Sequence, residues 1–510
     1  MWAGESMTAN LYSHFLKTFN RDPERIGLIT HDKKAYSYKQ IKTISSQMAN
    51  ALKKIGAAPG DRIITQIEKS PYNFFLYLAC LQSGIIYAPL NTGYTFDELR
   101  YFIGNAKPKL VVYDPAREEI FQQLCKGENE YLIYSMDESG NGSFQDIYGA
   151  QNQEFKPAYS NSDDVAVIIY TSGTTGQPKG AMLTHGGLLD NAISLNKAWG
   201  IIISDTILHA LPLFHVHGLF FACHTALLCG ATLIFLPKFD ANLVLENLHL
   251  ATVFMGVPTY YSRLLSEPKF NRESCKNMRL FTSGSAPLLE SMFHEFIERT
   301  GHTLLERYGM TETGINSSNP LFGKRRVGTV GLAIPGINIR ISSDAKKIAN
   351  TEEAGEIQIK GKNLFKGYWR MPEKTMQDFT EDGYFKTGDV GVFDKDGYLS
   401  ITGRIKDMII TGGLKVYPKE IEHTINLIVP GIEAAVIGVP HPDFGEAVTA
   451  IIAKEPWAQS LTENTVIEHL RKHHANYKIP KQIYFVSQLP KNKLGKVQKN
   501  ILREKYKNIF

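Results

Sequence analysis

Several things are scarce or missing in this chain of 510 residues. Its five cysteines, Cys80, Cys125, Cys223, Cys229 and Cys275, are odd in number, scattered and never spaced as CxxC. That excludes a disulfide framework and a structural zinc site, fits a reducing compartment and makes the cytoplasm the expected location. No low-complexity tract and no internal repeat interrupts the sequence. The first residues, MWAGESMTANLYSHF, have neither an early basic cluster nor an apolar core, so they do not read as a signal or transit peptide. A continuous apolar run of membrane length is also missing. The nearest approach, GLFFACHTALLCGATLIFLP at 218–237, is broken by His224, Thr225, Gly230 and Thr232. It predicts a buried helix followed by a buried strand rather than a membrane span. Charge of one sign is not in large excess: a net +5 suits an anionic small molecule and gives little support for nucleic acid.

What is present is an ordinary globular composition, 43% apolar and 21% charged, in a chain too long for one hydrophobic core. Helical and strand patterns alternate through most of it. YKQIKTISSQMANALKKIG (38–56) has helical spacing and ends at Gly56, DRIITQI reads as a strand, SPYNFFLYLACLQSG as a helix and IIYAPL as a strand. The pattern recurs at KLVVYD, ATLIFLP and HLATVFMGVP, which predicts an α/β fold with largely parallel sheets. After about Val330, short strands separated by Asp382-Gly383 and Asp396-Gly397 predict a β-rich subdomain. Beyond Arg404 the pattern changes again, to a small α+β unit with helices at YPKEIEHTINLI and from about Thr462. The polar stretch GRIKD (403–407) is the expected boundary, giving domains 1–404 and 405–510.

The apolar run VAVIIY leads directly into TSGTTGQPKG (171–180). Gly173 and Gly176 permit close backbone approach to an anion, Thr171, Ser172, Thr174 and Thr175 add hydroxyl donors, and Lys179 adds a charge. A Ser/Thr/Gly cluster of this kind can equally be a surface linker. The strand feeding it and the Pro-Lys-Gly exit into AMLTH favour a phosphate loop. It lacks the GxxxxGK[ST] spacing of a Walker loop and the GxGxxG dinucleotide fingerprint.

YTSGTTGxPKG resembles the signature of the adenylate-forming enzymes: acyl-CoA synthetases, aryl-CoA ligases, luciferases and peptide-synthetase adenylation domains. Further stations follow in the matching order. Read alone, LLERYGMTETG (304–314) looks like a polar turn. The resemblance implies that Tyr308 stacks on adenine, Thr311 contacts the α-phosphate and Glu312 holds Mg²⁺ against the ATP phosphates, which suits a hard cation. YFKTGDVG (384–391) could be a solvated hairpin, but the resemblance gives Asp389 the ribose hydroxyls, with Arg404 as a second ribose contact and Asp407 as a hinge. In ITGGLKVYPKEIE, the segment around Gly413 is implied to border the thioester site and the pantetheine channel. LPKNKLGKVQKNILREKYK reads on charge alone as a solvated cationic helix; the resemblance puts the catalytic lysine at Lys496, bridging acid and α-phosphate.

The acid is left to the pocket residues. His215 and His217 in LPLFHVHGLF form an HxH pair, but no third ligand cluster accompanies them. FHVHGLF, MRLFTSGSAPL, FKGYWRMPEKT and their neighbours look similar to malonyl-CoA synthetases, which implies an acid with a second carboxylate. Arg279, near the start of a strand ending in Ser283-Gly284-Ser285, is the expected partner, because its planar fork meets a carboxylate bidentately. His217 and Ser285 are weaker helpers. The expectation is an ATP-, Mg²⁺- and CoA-dependent acid–thiol ligase forming malonyl-CoA through malonyl-AMP, without nucleic-acid partners. Methylmalonate, other short- or medium-chain acids and aryl acids are alternatives, as is loading of a carrier protein. A non-catalytic nucleotide sensor is disfavoured because Thr311, Glu312, Asp389, Arg404 and Lys496 are all present.

Overall fold

A computed structural model describes residues 8–124, 131–171, 178–344, 347–412, 414–429, 432–454, 461–492 and 495–510. Ser70 caps the helix Pro71–Ser83 by accepting from the Asn73 amide, and Gly84 closes it in the left-handed region at φ 66°. Side chains from Asn73 to Ser83 are all buried. A helix apolar on every side must be enclosed, and this one helps fill the main core shared by the two large sheets. The helix expected over 38–56 runs Tyr38–Lys54 behind a Ser37/Gln40 capping box, with Gly56 left-handed beyond its end.

One sheet orders Gly367–Tyr368, Lys179–Thr184, Val165–Thr171, Ile86–Pro89, Arg62–Gln66, Leu110–Tyr113 and Leu132–Ser135. Its strands are parallel from Val165–Thr171 onward. The second has a parallel centre of Leu305–Met310, Leu280–Ser283, Val253–Gly256, Thr206–His209, Thr232–Phe235 and Ile26–Thr30, with antiparallel edges. Crevices outside the carboxyl ends of parallel strands are the usual ligand sites of α/β folds. The segment 218–237 forms part of a π-helical turn, His217–Ala222, then the helix Cys223–Cys229 and the strand Thr232–Phe235. No described helix is long and apolar enough to cross a membrane.

The β-rich region is an antiparallel sheet ordered Lys347–Ile348, Asn338–Asp344, Gly355–Lys360, Phe385–Phe393 and Leu399–Arg404. Gly397, at φ 81°, turns the last two strands so that Asp389 and Arg404 face each other. After the short turn Ile405–Asp407, Glu433–His441 and Gly445–Ala453 form a long antiparallel pair. The helices Pro418–Asn426 and Glu463–His473, the latter capped by Thr462, help enclose a separate core around Val416, Ile425, Val436 and Ile452.

Candidate active site

Val165–Thr171 and Lys179–Thr184 pair as a hairpin, so TSGTTG is the connection between two adjacent strands. Ser172, Gly173, Thr174, Thr175 and Gly176 lie outside the described residues, as does Gly413. At the loop's edges, Thr171 Oγ1 donates to the Lys179 carbonyl at 3.4 Å. The Lys179 ammonium is buried over the Tyr368 ring, 4.3 Å from its centroid. Burial lowers its pKa, while Asp378 and Glu312 pull the other way.

Glu312 sits in the turn between Leu305–Met310 and Gly314–Ser318, beside Thr311. It is buried, and burial raises its pKa although Tyr368 donates a hydrogen bond to Oε1 at 3.0 Å. Tyr308 donates to Asp389 Oδ2 at 2.6 Å, and Arg404 Nε meets Asp389 Oδ1 at 2.8 Å. Three predicted nucleotide residues, remote in sequence, therefore share one carboxylate.

Lys496 arrives from the C-terminal unit on a tight turn in which Gly495 donates to the Asn492 carbonyl and Lys491 bridges to Val497. Gly495 has φ 77°, and a Cβ there would stand 2.4 Å from Thr259 Cγ2. The turn thus docks against the helix Pro258–Leu265 of the large unit. Desolvation and the Arg404 charge push the Lys496 ammonium down to about 8, against Asp389 and Asp407.

The structure corrects Arg279. It precedes the strand Leu280–Ser283, at the amino edge of the sheet, while Ser283 to Ser285 lie at the carboxyl end. Its Nε and Nη2 donate to the two carboxylate oxygens of Asp205 at 2.7 and 2.5 Å; Nη1 and Nη2 also donate to the Trp199 and Gly200 carbonyls. With its fork occupied by Asp205, Arg279 is a strut between loops rather than an acid ligand.

A different arginine, Arg307, lies against Gly284, and its charge acts on His217. Alternate side chains of a strand face opposite ways, so Arg307 points away from the side on which Tyr308 meets Asp389. It is 3% exposed, with Nε and Nη2 lacking hydrogen-bond partners among the described residues. A Cβ on Gly284 would come within 2.5 Å of its Cζ, so the guanidinium lies across that glycine. The Phe221 ring is 5.5 Å from it. Burial brings the guanidinium down to about 9, still cationic at neutral pH. His217 Nδ1 is 3.4 Å from Ser285 Oγ, while its Nε2 and the Ser283 hydroxyl have no partner among the described residues. Desolvation, then the Arg307 charge, hold the His217 imidazole neutral, well below its ordinary pKa. Ser285 itself has φ 70°, a left-handed conformation rare for serine. Unsatisfied buried donors are costly. No cluster of three metal-ligating side chains occurs among the described residues. Arg307 was present in LLERYGMTETG; its signal was a cation two residues beyond an apolar pair, inside a strand.

Glu306, on the other face of that strand, is buried with Oε2 unpartnered. Burial raises its carboxyl to about 7, with Lys419 opposing. The folded protein therefore retains a proton that the unfolded chain releases near 4.5. The associated stability is full below that pH and is lost as pH rises through about 7; it amounts to at most about 3 kcal/mol. Glu306→Gln is expected to flatten the Tm-against-pH curve of the ligand-free protein between pH 5 and 8, and an unaltered slope would contradict this.

The family model described as AMP-binding enzyme matches residues 15–369, and that described as AMP-binding enzyme C-terminal domain matches 420–496. A malonate–CoA ligase of Arabidopsis thaliana is 34% identical, covering 94% of this chain and 86% of its own. A mitochondrial malonate–CoA ligase of Mus musculus is 37% identical, with coverages of 84% and 79%. The ATP-bound crystal structure of MatB from Rhodopseudomonas palustris superposes with a TM-score of 0.95 at 44% identity, covering 99% of this chain and 100% of that one. The chain belongs to the AMP-binding enzyme family and has the fold of the adenylate-forming acyl-CoA synthetases.

Proposed function

We propose that this protein joins malonate to coenzyme A, consuming ATP and releasing AMP and pyrophosphate. The observation that carries the choice of acid is Arg307, a buried cation with Nε and Nη2 unpartnered among the described residues, lying across Gly284 and acting on His217. A hydrophobic acid would leave that charge without a partner, whereas a second carboxylate would meet its fork. The names of the Arabidopsis and Mus relatives, both malonate–CoA ligases, support the same reading.

In this reading the distal carboxylate is held by Arg307, with His217 as a helper. The other carboxylate, near Thr311, attacks the α-phosphorus of ATP, and the bond to pyrophosphate breaks. The CoA sulfur then attacks the carbonyl carbon of malonyl-AMP, and AMP leaves. Lys496 stabilises charge in the first step. Asp389 and Arg404 take the ribose, Tyr308 the adenine, and the 171–176 loop with Lys179 the phosphates. Glu312 fits Mg²⁺: its carboxylate is buried and receives one neutral donor from Tyr368. Bound there, Mg²⁺ would supply positive charge to the ATP phosphates. We assign 1–404 to adenylate and acyl binding and 405–510 to a lid pivoting near Asp407, which exchanges Lys496 for the Gly413 face. The scattered thiols favour a reducing compartment, and we keep the cytoplasm as the proposed location, although the Mus relative is named as mitochondrial.

AMP release with ATP, CoA and a panel of mono- and dicarboxylic acids tests the reading. Malonate is expected to give the highest kcat/KM. A panel led by benzoate or a medium-chain fatty acid would overturn it.

A further inference from the structure

Lys69 is buried just beyond the strand Arg62–Gln66, and its ammonium has no ion-pair partner among the described residues. Its hydrogen bonds go to one residue. Nζ lies 2.6 Å from His209 Nδ1 and donates to the His209 carbonyl at 2.7 Å. On the far side of the ring, His209 Nε2 is 2.9 Å from the Gly218 carbonyl. A carbonyl only accepts, so Nε2 carries the proton. The neutral ring then presents a lone pair at Nδ1, which Lys69 fills as donor. Phe235 stacks on His209, with centroids 4.9 Å apart, and lies under the Lys69 ammonium, fixing the ring plane.

The end of this relay matters because Gly218 is the second residue of the π-helical turn His217–Ala222. Such turns are rare and are common at functional sites. A Cβ on Gly218 would stand 2.1 Å from the Pro212 carbonyl, so the turn is held tightly against the preceding loop. The residue immediately before Gly218 is His217, whose ring reaches Ser285 and feels the Arg307 charge. The Gly218 carbonyl belongs to the peptide joining Gly218 to Leu219, so the His209 contact holds the turn one residue beyond His217.

We propose that Lys69 and His209 are positioning residues for acid recognition: the chain Lys69–His209–Gly218 fixes the π-helical turn that presents His217 to the acid's second carboxylate. The inference rests on the dicarboxylate reading above. Lys69 also borders a cavity of about 360 Å³, so methionine can replace it without overpacking.

The test compares wild type, Lys69→Met and Lys69→Gln in AMP-release kinetics with malonate and propionate, varying ATP separately. Misplacement of a recognition group by about 1 Å can cost on the order of 10²-fold. Lys69→Met is therefore expected to raise KM for malonate about tenfold or more and to lower the malonate-to-propionate preference, with KM for ATP unchanged. Lys69→Gln, whose amide still donates to Nδ1, should recover most of that preference. Equal loss with both acids, or unchanged malonate kinetics in folded Lys69→Met, would overturn the proposal. A measurement on the wild type guards against variants that do not fold. NMR of ¹⁵N-histidine-labelled protein must show His209 as the neutral Nε2–H tautomer at pH 7; an Nδ1–H tautomer or an imidazolium overturns the relay. If wild type does not prefer malonate to propionate, the dicarboxylate reading fails, and the tautomer still decides whether the relay exists.

Discussion

Lys496→Ala is expected to slow malonyl-AMP formation by on the order of 10²–10³-fold, the effect of removing one preorganised charge from a transition state. Thioester formation from supplied malonyl-AMP and CoA should be largely spared, because Lys496 is assigned only to the first half-reaction. Pyrophosphate release measures the first step and thioester yield the second; equal loss in both would remove the lid-exchange role. The pH profile gives an independent check. With the ammonium at about 8 in the ligand-free protein, kcat/KM for adenylation should fall as pH rises through that region and the charge is lost. Lys496→Arg, where active, should move that alkaline limb upward, since the guanidinium stays protonated.

The second large effect belongs to Arg307. Truncating one partner of a buried, hydrogen-bonded charge pair costs about 2–5 kcal/mol, so Arg307→Leu should lower kcat/KM for malonate by roughly 30-fold to several thousand-fold. The KM for ATP should change little, because Tyr308 and Asp389 lie on the other face of the strand. Removing the cation should also make the pocket more tolerant of propionate or butyrate. Arg279→Leu is the contrasting variant: it leaves Asp205 buried without its partner, so Tm should drop while malonate KM holds. Acid kinetics that respond to Arg279 and ignore Arg307 would reverse the assignment.

These two arginines show where a linear reading succeeds and where it stops. Both lie at or near the edge of an apolar strand run, and both have the fork that a carboxylate needs. Arg279 was singled out by its closeness to Ser283 and Ser285, but sequence distance along a strand does not say which end of the sheet a residue occupies. Arg307 sat in a motif already read for nucleotide chemistry, and period-two alternation turned it away from the face on which Tyr308 meets Asp389. Lys69 and His209 carried no recognisable pattern: Lys69 lies in the polar run Glu68–Ser70, His209 is a lone polar residue among apolar ones, and they are 140 positions apart in the chain.

Local chemistry was legible without coordinates. Turn dipeptides, capping residues and apolar runs placed the helices and strands, since those choices depend on neighbours a few residues away. The resemblance to the adenylate-forming enzymes singled out Tyr308, Glu312, Asp389, Arg404 and Lys496, and in the structure Tyr308 and Arg404 both meet the Asp389 carboxylate. Only the tertiary structure decided which cation is free. Asp205 neutralises Arg279, whereas Arg307 is buried against Gly284 and Phe221, with Nε and Nη2 unpaired among the described residues. The desolvation that makes a buried charge costly depends on every chain segment packed around it, and no single stretch of sequence contains that information.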